Sequence, residues 1–291
     1  MIPDIIEPLK HVLACPYCLG SLQISPDGLN CSDCETLYPF TGKAQIDMHL
    51  QRPKPHAITF EVGRDLGDAL NFDYAPLEGN RQSVIDFGDQ PVPYHFSKEL
   101  RSYIPRATHP EALVLDLGCG AMPQREMCES AGFRYVGLDY KNKSAPILGD
   151  AHALPFRDES FELIVSTNVL EHLQYPPVAY AEVKRVLQKQ GRIIGSVAFL
   201  EPFHDSSFYH HTHLGAFNTL SSAGLRVLKI SPNVQWPVLT ALRKMEALPR
   251  VIGPLLKLAN LMSQLHQKLR PWPARVLRSS GSFFFIATKE V

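Results

Sequence analysis

The chain has 291 residues, 45% of them hydrophobic and 20% charged, with a formal net charge of zero. These values are ordinary for a folded globular chain, and the balanced charge gives no global pull towards nucleic acid. No run of eighteen uninterrupted apolar residues argues for a spanning helix, and MIPDIIEPLKHVLAC lacks the basic start and apolar run of a secretory signal, so we expect a cytoplasmic protein.

The first predicted element is a cysteine ribbon. In CPYCLGSLQISPDGLNCSDC, the pairs Cys15/Cys18 and Cys31/Cys34 are separated by twelve residues. Each pair offers two thiolates from one tight turn, and two facing turns complete a tetrahedron around Zn2+. In a reducing compartment this spacing points to metal rather than disulfides. Four thiolates would leave no open coordination position, which makes the metal structural. SLQI and DGLNC are predicted strands joined by Ser25-Pro26-Asp27-Gly28, a turn sequence. LACPYC and the later CSDCETLYPFTGKAQID resemble the small zinc-ribbon proteins that bind and activate methyltransferases, over about residues 9 to 48. Fused in one chain, any such role would be intramolecular.

From 51 to 110, Pro53, Pro55, Pro76, Pro91, Pro93, Pro105 and Pro110 break up long regular elements. A short helix is expected in PYHFSKELRSYI, where Phe96, Leu100 and Ile104 recur every four residues. We read 1–50 as the ribbon, 51–110 as a linker and helical cover, and 111–291 as the main domain.

ALVLDLGCGAMPQREMCESAG then gives an apolar strand, a glycine turn and a helix, with Pro123 in its first turn and Gly132 at its stop. Gly118 and Gly120 let the backbone approach a ligand where a side chain would collide. FRYVGLDY is a second strand ending at Asp139, about twenty residues on, where a carboxylate can accept both hydroxyls of a ribose. PILGDAHALPF places Asp150 after a third strand, and ESFELIVSTNVLEHL runs a fourth strand into Asn168, Glu171 and His172. A helix follows, started near Pro176-Pro177 and closed at Gly191; GRIIGSVAF, GLRVLKI and SFFFIATK supply three more strands. Alternation of strands and helices predicts an α/β, doubly wound, mostly parallel sheet with its ligand at the carboxyl ends of the strands. The dinucleotide fingerprint G-x-G-x-x-G fails, because position 123 is Pro. Cys119 has no basic neighbour in sequence to activate it, and we read it and Cys128 as packing thiols.

In order, VLDLGCG, GLDY, GDAHALPFRDESFELIVS and NVLEHL resemble the motifs of class I, Rossmann-like S-adenosylmethionine-dependent methyltransferases of the type 11 group, over about residues 95 to 232 plus the last strand. The resemblance implies a seven-stranded sheet. It places Gly118, Cys119 and Gly120 beside the methionine part of the cofactor, with Asp116 binding its amino end or ordering the loop. Asp139 and Tyr140 would hold the ribose, Asp150 and Ala151 the adenine edge, and Asn168 would contact the sulfonium region. Two departures stand out: Glu162 replaces the usual Asp, and the segment between Asp139 and Asp150 is too short for the usual helix.

Methyl transfer from a sulfonium needs an oriented acceptor and, for a hydroxyl or acidic C–H, a base. Two places qualify: His172 after the fourth strand, and EPFHDSSFYHHTHLG after the fifth. Within that loop His204 and His210 are the preferred candidates, with His211 and His213 nearer the next helix. The loop resembles those of methyltransferases acting on sugar, lipid or other small acceptors; a structural role and a metal site are the alternative readings.

The stretch 233–280 interrupts the last hairpin. Leu255, Leu258, Leu261, Met262 and Leu265 mark an amphipathic helix. Around it Arg243, Lys244, Arg250, Lys257, Lys268, Arg270, Arg275 and Arg278 face only Glu246. With Trp236 and Trp272, this insertion is either a lid packed on the core or a peripheral contact with an anionic membrane or lipid-linked acceptor. RNA phosphate contact is a third option.

The expectation is a methyltransferase using S-adenosylmethionine on a small, sugar- or lipid-linked acceptor, with structural Zn2+. An rRNA or tRNA base methyltransferase is the nearest rival. Against it stand an acidic ribbon (Asp4, Glu7, Asp27, Asp33, Glu35 and Asp47 against Lys10 and Lys43) and the lack of an Asn-Pro-Pro-aromatic motif after the fourth strand. A non-catalytic cofactor-binding partner subunit is the rival of another class.

Overall fold

LVLDL, RYVGLD and FELIVST are apolar on both faces, a pattern that only a sheet covered on both sides can bury. They form β5 (Leu113–Leu117), β6 (Arg134–Asp139) and β8 (Phe161–Thr167) of the central sheet. The structure, a computed structural model, describes residues 3–41, 45–60, 85–93, 95–199, 206–233, 253–269 and 280–290.

The N-terminal region holds α1 (Ile6–Leu9) and a three-stranded antiparallel sheet of β1 (Leu22–Ile24), β2 (Gly28–Cys31) and β3 (Leu37–Pro39). Beyond it come β4 (Ile46–Asp47), β7 (Ile147–Leu148), β9 (Leu187–Ala198), β10 (Arg226–Pro232) and β11 (Ser282–Thr288). Helices are α2 (Lys98–Arg101), α3 (Arg125–Ser130), a 3-10 turn at Leu170–His172, α4 (Pro176–Val186), α5 (His213–Ser222) and α6 (Gly253–Leu269). The main sheet has the order β10-β11-β9-β8-β5-β6-β7-β4, with only β11 running antiparallel to its neighbours. Strand order reverses between β5 and β8, which creates the switch-point crevice where α/β sheets bind ligands.

Eight strands replace the expected seven, and the eighth comes from the ribbon's tail. β4 pairs in parallel with β7, Ile46 opposite Ile147 and Asp47 opposite Leu148. The chain between Asp139 and Asp150 folds no helix to cover that edge, so an outside strand takes its free backbone groups. Gln45 Nε2 donates to the carbonyls of Lys143 and Ala145, and Met48 N donates to Leu148 O at 2.7 Å. A second seam joins the regions: Ala14 N donates to Pro155 O, and Arg157 N to Val12 O. Leu13, Tyr38, Ile46 and Met48 are at most 2% exposed and belong to the same apolar cluster as Leu115, Phe156, Phe161 and Phe285. Burial of each large apolar side chain contributes about 1.5–3 kcal/mol.

Three local expectations shift. The helix after the glycine turn starts at Arg125, so Pro123 lies in the approach to it; Gly132, at φ +92°, does terminate it. α4 closes at Val186 rather than Gly191, which lies within β9 where Gln190 takes φ 62° and the pairing with β8 jumps between Phe161 and Leu163. A Cβ at Gly191 would stand 2.7 Å from Gln188 O, so the crowded bulge requires glycine there. Finally, Leu255, Leu258, Leu261, Met262 and Leu265 of α6 are 51–66% exposed, so the apolar stripe is not packed as a lid on the core. Trp236, Trp272, Arg243, Lys244, Arg250, Arg270, Arg275 and Arg278 lie outside the described residues. Among the described residues, no helix is long and apolar enough to cross a membrane.

Candidate cofactor cavity and metal centre

At the carboxyl ends of β5, β6 and β8 lies a cavity of ≈ 450 Å³. Its size falls in the range of small-molecule sites. Gly118 borders it at φ +71°, and the Gly118 and Cys119 amides both donate to Leu138 O, at 2.8 and 3.0 Å. A Cβ on Gly118 would stand 2.4 Å from Val169 Cγ2, so only glycine lets the turn pass there. Gly120, at φ +51°, has open space where a Cβ would point, its nearest neighbour being Asn142 Nδ2 at 3.9 Å.

Asp139 caps this turn and the next. Its Oδ2 accepts from Gly120 N at 2.9 Å, and its Oδ1 accepts from Lys141 N and Asn142 N at 3.0 and 2.9 Å. A carboxylate offers about four lone-pair sites, so capacity remains for ligand hydroxyls. Tyr140 and Lys141 line the cavity beside it.

Asp150 and Ala151 line the same cavity as Asp139. Asp150 Oδ1 accepts from His152 N at 2.9 Å and pairs with His152 Nδ1 at 2.5 Å. Burial pushes the Asp150 carboxyl up, but the His152 ring and amide outweigh it and hold its pKa below the usual value. Tyr175 N donates to His152 Nε2 at 3.1 Å, so the network places the ring proton that faces Asp150 on Nδ1. Asp47-Met48-His49 repeats this arrangement on the adjacent strand, with Nδ1 of His49 2.7 Å from Asp47 Oδ1. The His49 ring meets Tyr140 edge-on at 4.9 Å, so the ribbon's tail backs one wall of the cavity.

Asn168 sits in the left-handed region at φ 53°, a conformation that Asn tolerates better than most residues. Ser196 Oγ donates to its Oδ1 at 2.9 Å. The chain thereby turns into the 3-10 segment that carries His172 to the cavity. His172 Nδ1 is 3.2 Å from Ser206 O; donation there leaves the basic lone pair on Nε2. Phe208 N and Tyr209 N both donate to Glu171 O, which folds residues 206–209 over this wall and adds Ser206 and Phe208 to the lining.

Asp116, Cys119 and Gly120 lie outside the lining. Asp116 is wholly buried and accepts from Tyr135 Oη at 2.5 Å. Burial raises its pKa to about 7, partly offset by the tyrosine hydroxyl and reinforced by Asp139. Burial, with Asp116 and Asp139 nearby, pushes the Cys119 thiol up, consistent with packing. His210 is exposed, away from the cavity lining, with Nδ1 2.8 Å from Phe199 O. His204 lies outside the described residues. His211 is buried beside Tyr209, and burial lowers its pKa.

Lining residues that sequence reading passed over include His152, Lys141, Val169, Leu173, Gln174 and Phe208. A signal existed for His152 alone, in the Asp-x-His spacing shared by Asp150-Ala151-His152 and Asp47-Met48-His49.

The second centre is the cysteine cluster. The Sγ atoms of Cys15, Cys18, Cys31 and Cys34 all lie within 4.8 Å of one another. Cys15–Cys34 and Cys18–Cys31 are 3.6 and 3.4 Å apart, close to the roughly 3.8 Å edge of a tetrahedron with 2.3 Å Zn–S bonds. The two turns are built alike: Leu19 N donates to Cys15 O and Glu35 N to Cys31 O. Leu19 and Glu35 take φ 62° and 58°, so each turn closes just after its second cysteine. Tyr38 Oη lies 3.1 Å from Cys15 Sγ and Thr36 Oγ1 3.2 Å from Cys34 Sγ, hydroxyls placed to support thiolates. This donor set fits Zn2+.

Residues 115–195 match the methyltransferase domain family. Demethylmenaquinone methyltransferase of Renibacterium salmoninarum is 32% identical over 96 residues, covering 29% of this chain and 40% of that protein. Sterol 24-C-methyltransferase of Schizosaccharomyces pombe is 30% identical over 128 residues, 38% of this chain and 33% of that protein. The chain spans 33–60% of the length of the curated relatives it matches. Among solved structures, an S-adenosylmethionine dependent methyltransferase from Mesorhizobium loti aligns at 15% identity and a TM-score of 0.45, covering 66% of this chain and 96% of that one.

Proposed function

We propose that the chain transfers a methyl group from S-adenosylmethionine to a small acceptor of apolar or lipid-linked character. The observation that carries this is the convergence, on one cavity, of the glycine turn, Asp139, Asp150 and His172, within the segment that matches a methyltransferase domain. When bound, the cofactor supplies an electrophilic methyl group on a sulfonium. Asp139 would accept from the ribose hydroxyls, and Asp150 would read the adenine edge with its second oxygen. Gly118 leaves backbone room for the methionine end, and Asn168 lines the same cavity. The relatives named for quinone and sterol methylation support an apolar acceptor, and Leu173 and Phe208 give the cavity apolar wall.

His172 is the group we assign to proton removal, since it lines the cavity just beyond the carboxyl end of β8. His210 lies outside that lining and keeps the acceptor loop in place. The four cysteines hold one structural Zn2+.

The test is incubation with isotopically labelled S-adenosylmethionine and fractionated lipid and small-molecule extracts, with products identified by mass spectrometry. Label transfer to an acceptor supports the reading; cofactor binding without any turnover sinks it in favour of a non-catalytic role. His172→Gln is expected to lower kcat about 100-fold with cofactor affinity unchanged, the scale of general-base loss.

A further inference from the structure

We propose that α6 is a docking helix for an anionic lipid surface. Its described apolar residues Leu255, Leu258, Leu261, Met262 and Leu265 are 51–66% exposed. At about 100° per residue they occupy one continuous arc of about 120°. From position 255 to position 265 that arc runs about 15 Å along a 17-residue helix. The side chains are unbranched or γ-branched aliphatics without a hydrogen-bonding group, so they specify an apolar phase rather than a polar partner surface.

The charge around the arc selects the chemistry of that phase. From Ala247 to Thr288 the sequence holds no Asp or Glu, while Arg250, Lys257, Lys268 and Arg270 lie in or beside the helix. Positions 257 and 268 fall together on one shoulder of the arc, about 20–40° beyond its edge. The exposed lysine at 257 can lay its stem along the apolar face and put its ammonium group at the headgroup level. Trp272 follows three residues after the helix, the type of residue that favours a bilayer interface. A second copy of the same helix is disfavoured, because two acid-free basic helices repel. The helix is not long and apolar enough to span, so it would lie in the plane of the surface. This inference stands apart from the catalytic reading and is tested without turnover.

The full chain is mixed with vesicles of phosphatidylcholine, with and without phosphatidylglycerol, and pelleted or floated at low and high salt. Co-sedimentation with the anionic vesicles, weakened by salt, is expected. Leu258→Gln with Leu261→Gln should abolish it while leaving the melting temperature unchanged. Lys257→Gln with Lys268→Gln should weaken it about fivefold for each lysine removed. Failure of the wild-type chain to bind anionic vesicles overturns the proposal. So does vesicle binding that survives the leucine changes. A lower melting temperature in the leucine variant would show that the stripe packs on the rest of the chain. A dimer dissolved by those changes would show a second copy as the occupant, and either result also overturns the proposal.

Discussion

The N-terminal ribbon and α6 are both additions to the same sheet, and both carry an apolar pattern, yet they use it in opposite ways. The ribbon hides Leu13, Tyr38, Ile46 and Met48 at no more than 2% exposure and lends β4 to the sheet, whereas α6 keeps five large apolar side chains more than half exposed. The difference lies in backbone pairing. β7 offers an open edge that β4 completes, and Leu13 bridges to Phe156, so the ribbon's apolar residues are carried into a core that already exists. Amphipathicity thus states that a face wants to be buried, and topology states against what.

The largest effect should come from breaking the cysteine cluster. Cys31→Ser, or treatment with a strong chelator, is expected to melt the ribbon and the sheet together, because apparent Zn2+ affinities of structural sites are about 10–16 kcal/mol and the core is shared. Calorimetry should show one transition moving down. Two separated transitions, with the upper one unmoved, would break the comparison. Metal analysis should find one zinc per chain.

Phe156→Ala attacks the seam from the sheet side. Phe156 is fully buried, packs edge-on against Phe161 at 4.9 Å and bridges to Leu13, so a loss of about 3–5 kcal/mol is expected in urea titrations. Asp116 sits between the extremes. Its carboxyl is raised from 3.8 to about 7 by burial, so the folded chain holds a proton that the unfolded chain releases. Its contribution is fully present below about pH 4 and is lost as pH rises towards 7. Asp116→Asn should flatten that decline by at most about 1.4 kcal/mol per pH unit, read from melts at stepped pH. The smallest effect belongs to α6: Leu258→Ala should change stability by no more than about 0.5 kcal/mol, against several for a ribbon leucine such as Leu13.

Much of the cavity was legible because its signals are local. Gly118 and Gly120 stand where the turn takes positive φ, and Asp139 is one strand further on with its carboxylate bonded back to Gly120 N. The cysteine spacing likewise announced two matching turns. His172 was named for its place after a strand, but nothing in the sequence ranked it above His210. That ranking depends on residues 206–209 folding back onto Glu171, a contact between segments 35 or more residues apart.

By itself, the sequence determined the alternation of strands and helices, the glycine turn with its acidic partners, and the four-thiol donor set, because each follows from spacing within a few residues. Only the tertiary structure decided that the sheet has an eighth strand from the ribbon's tail, that His152 orients Asp150, and that the α6 stripe faces outward. Edge pairing, side-chain convergence and burial are relations between distant segments, and their free energy exists only once the chain has brought those segments together.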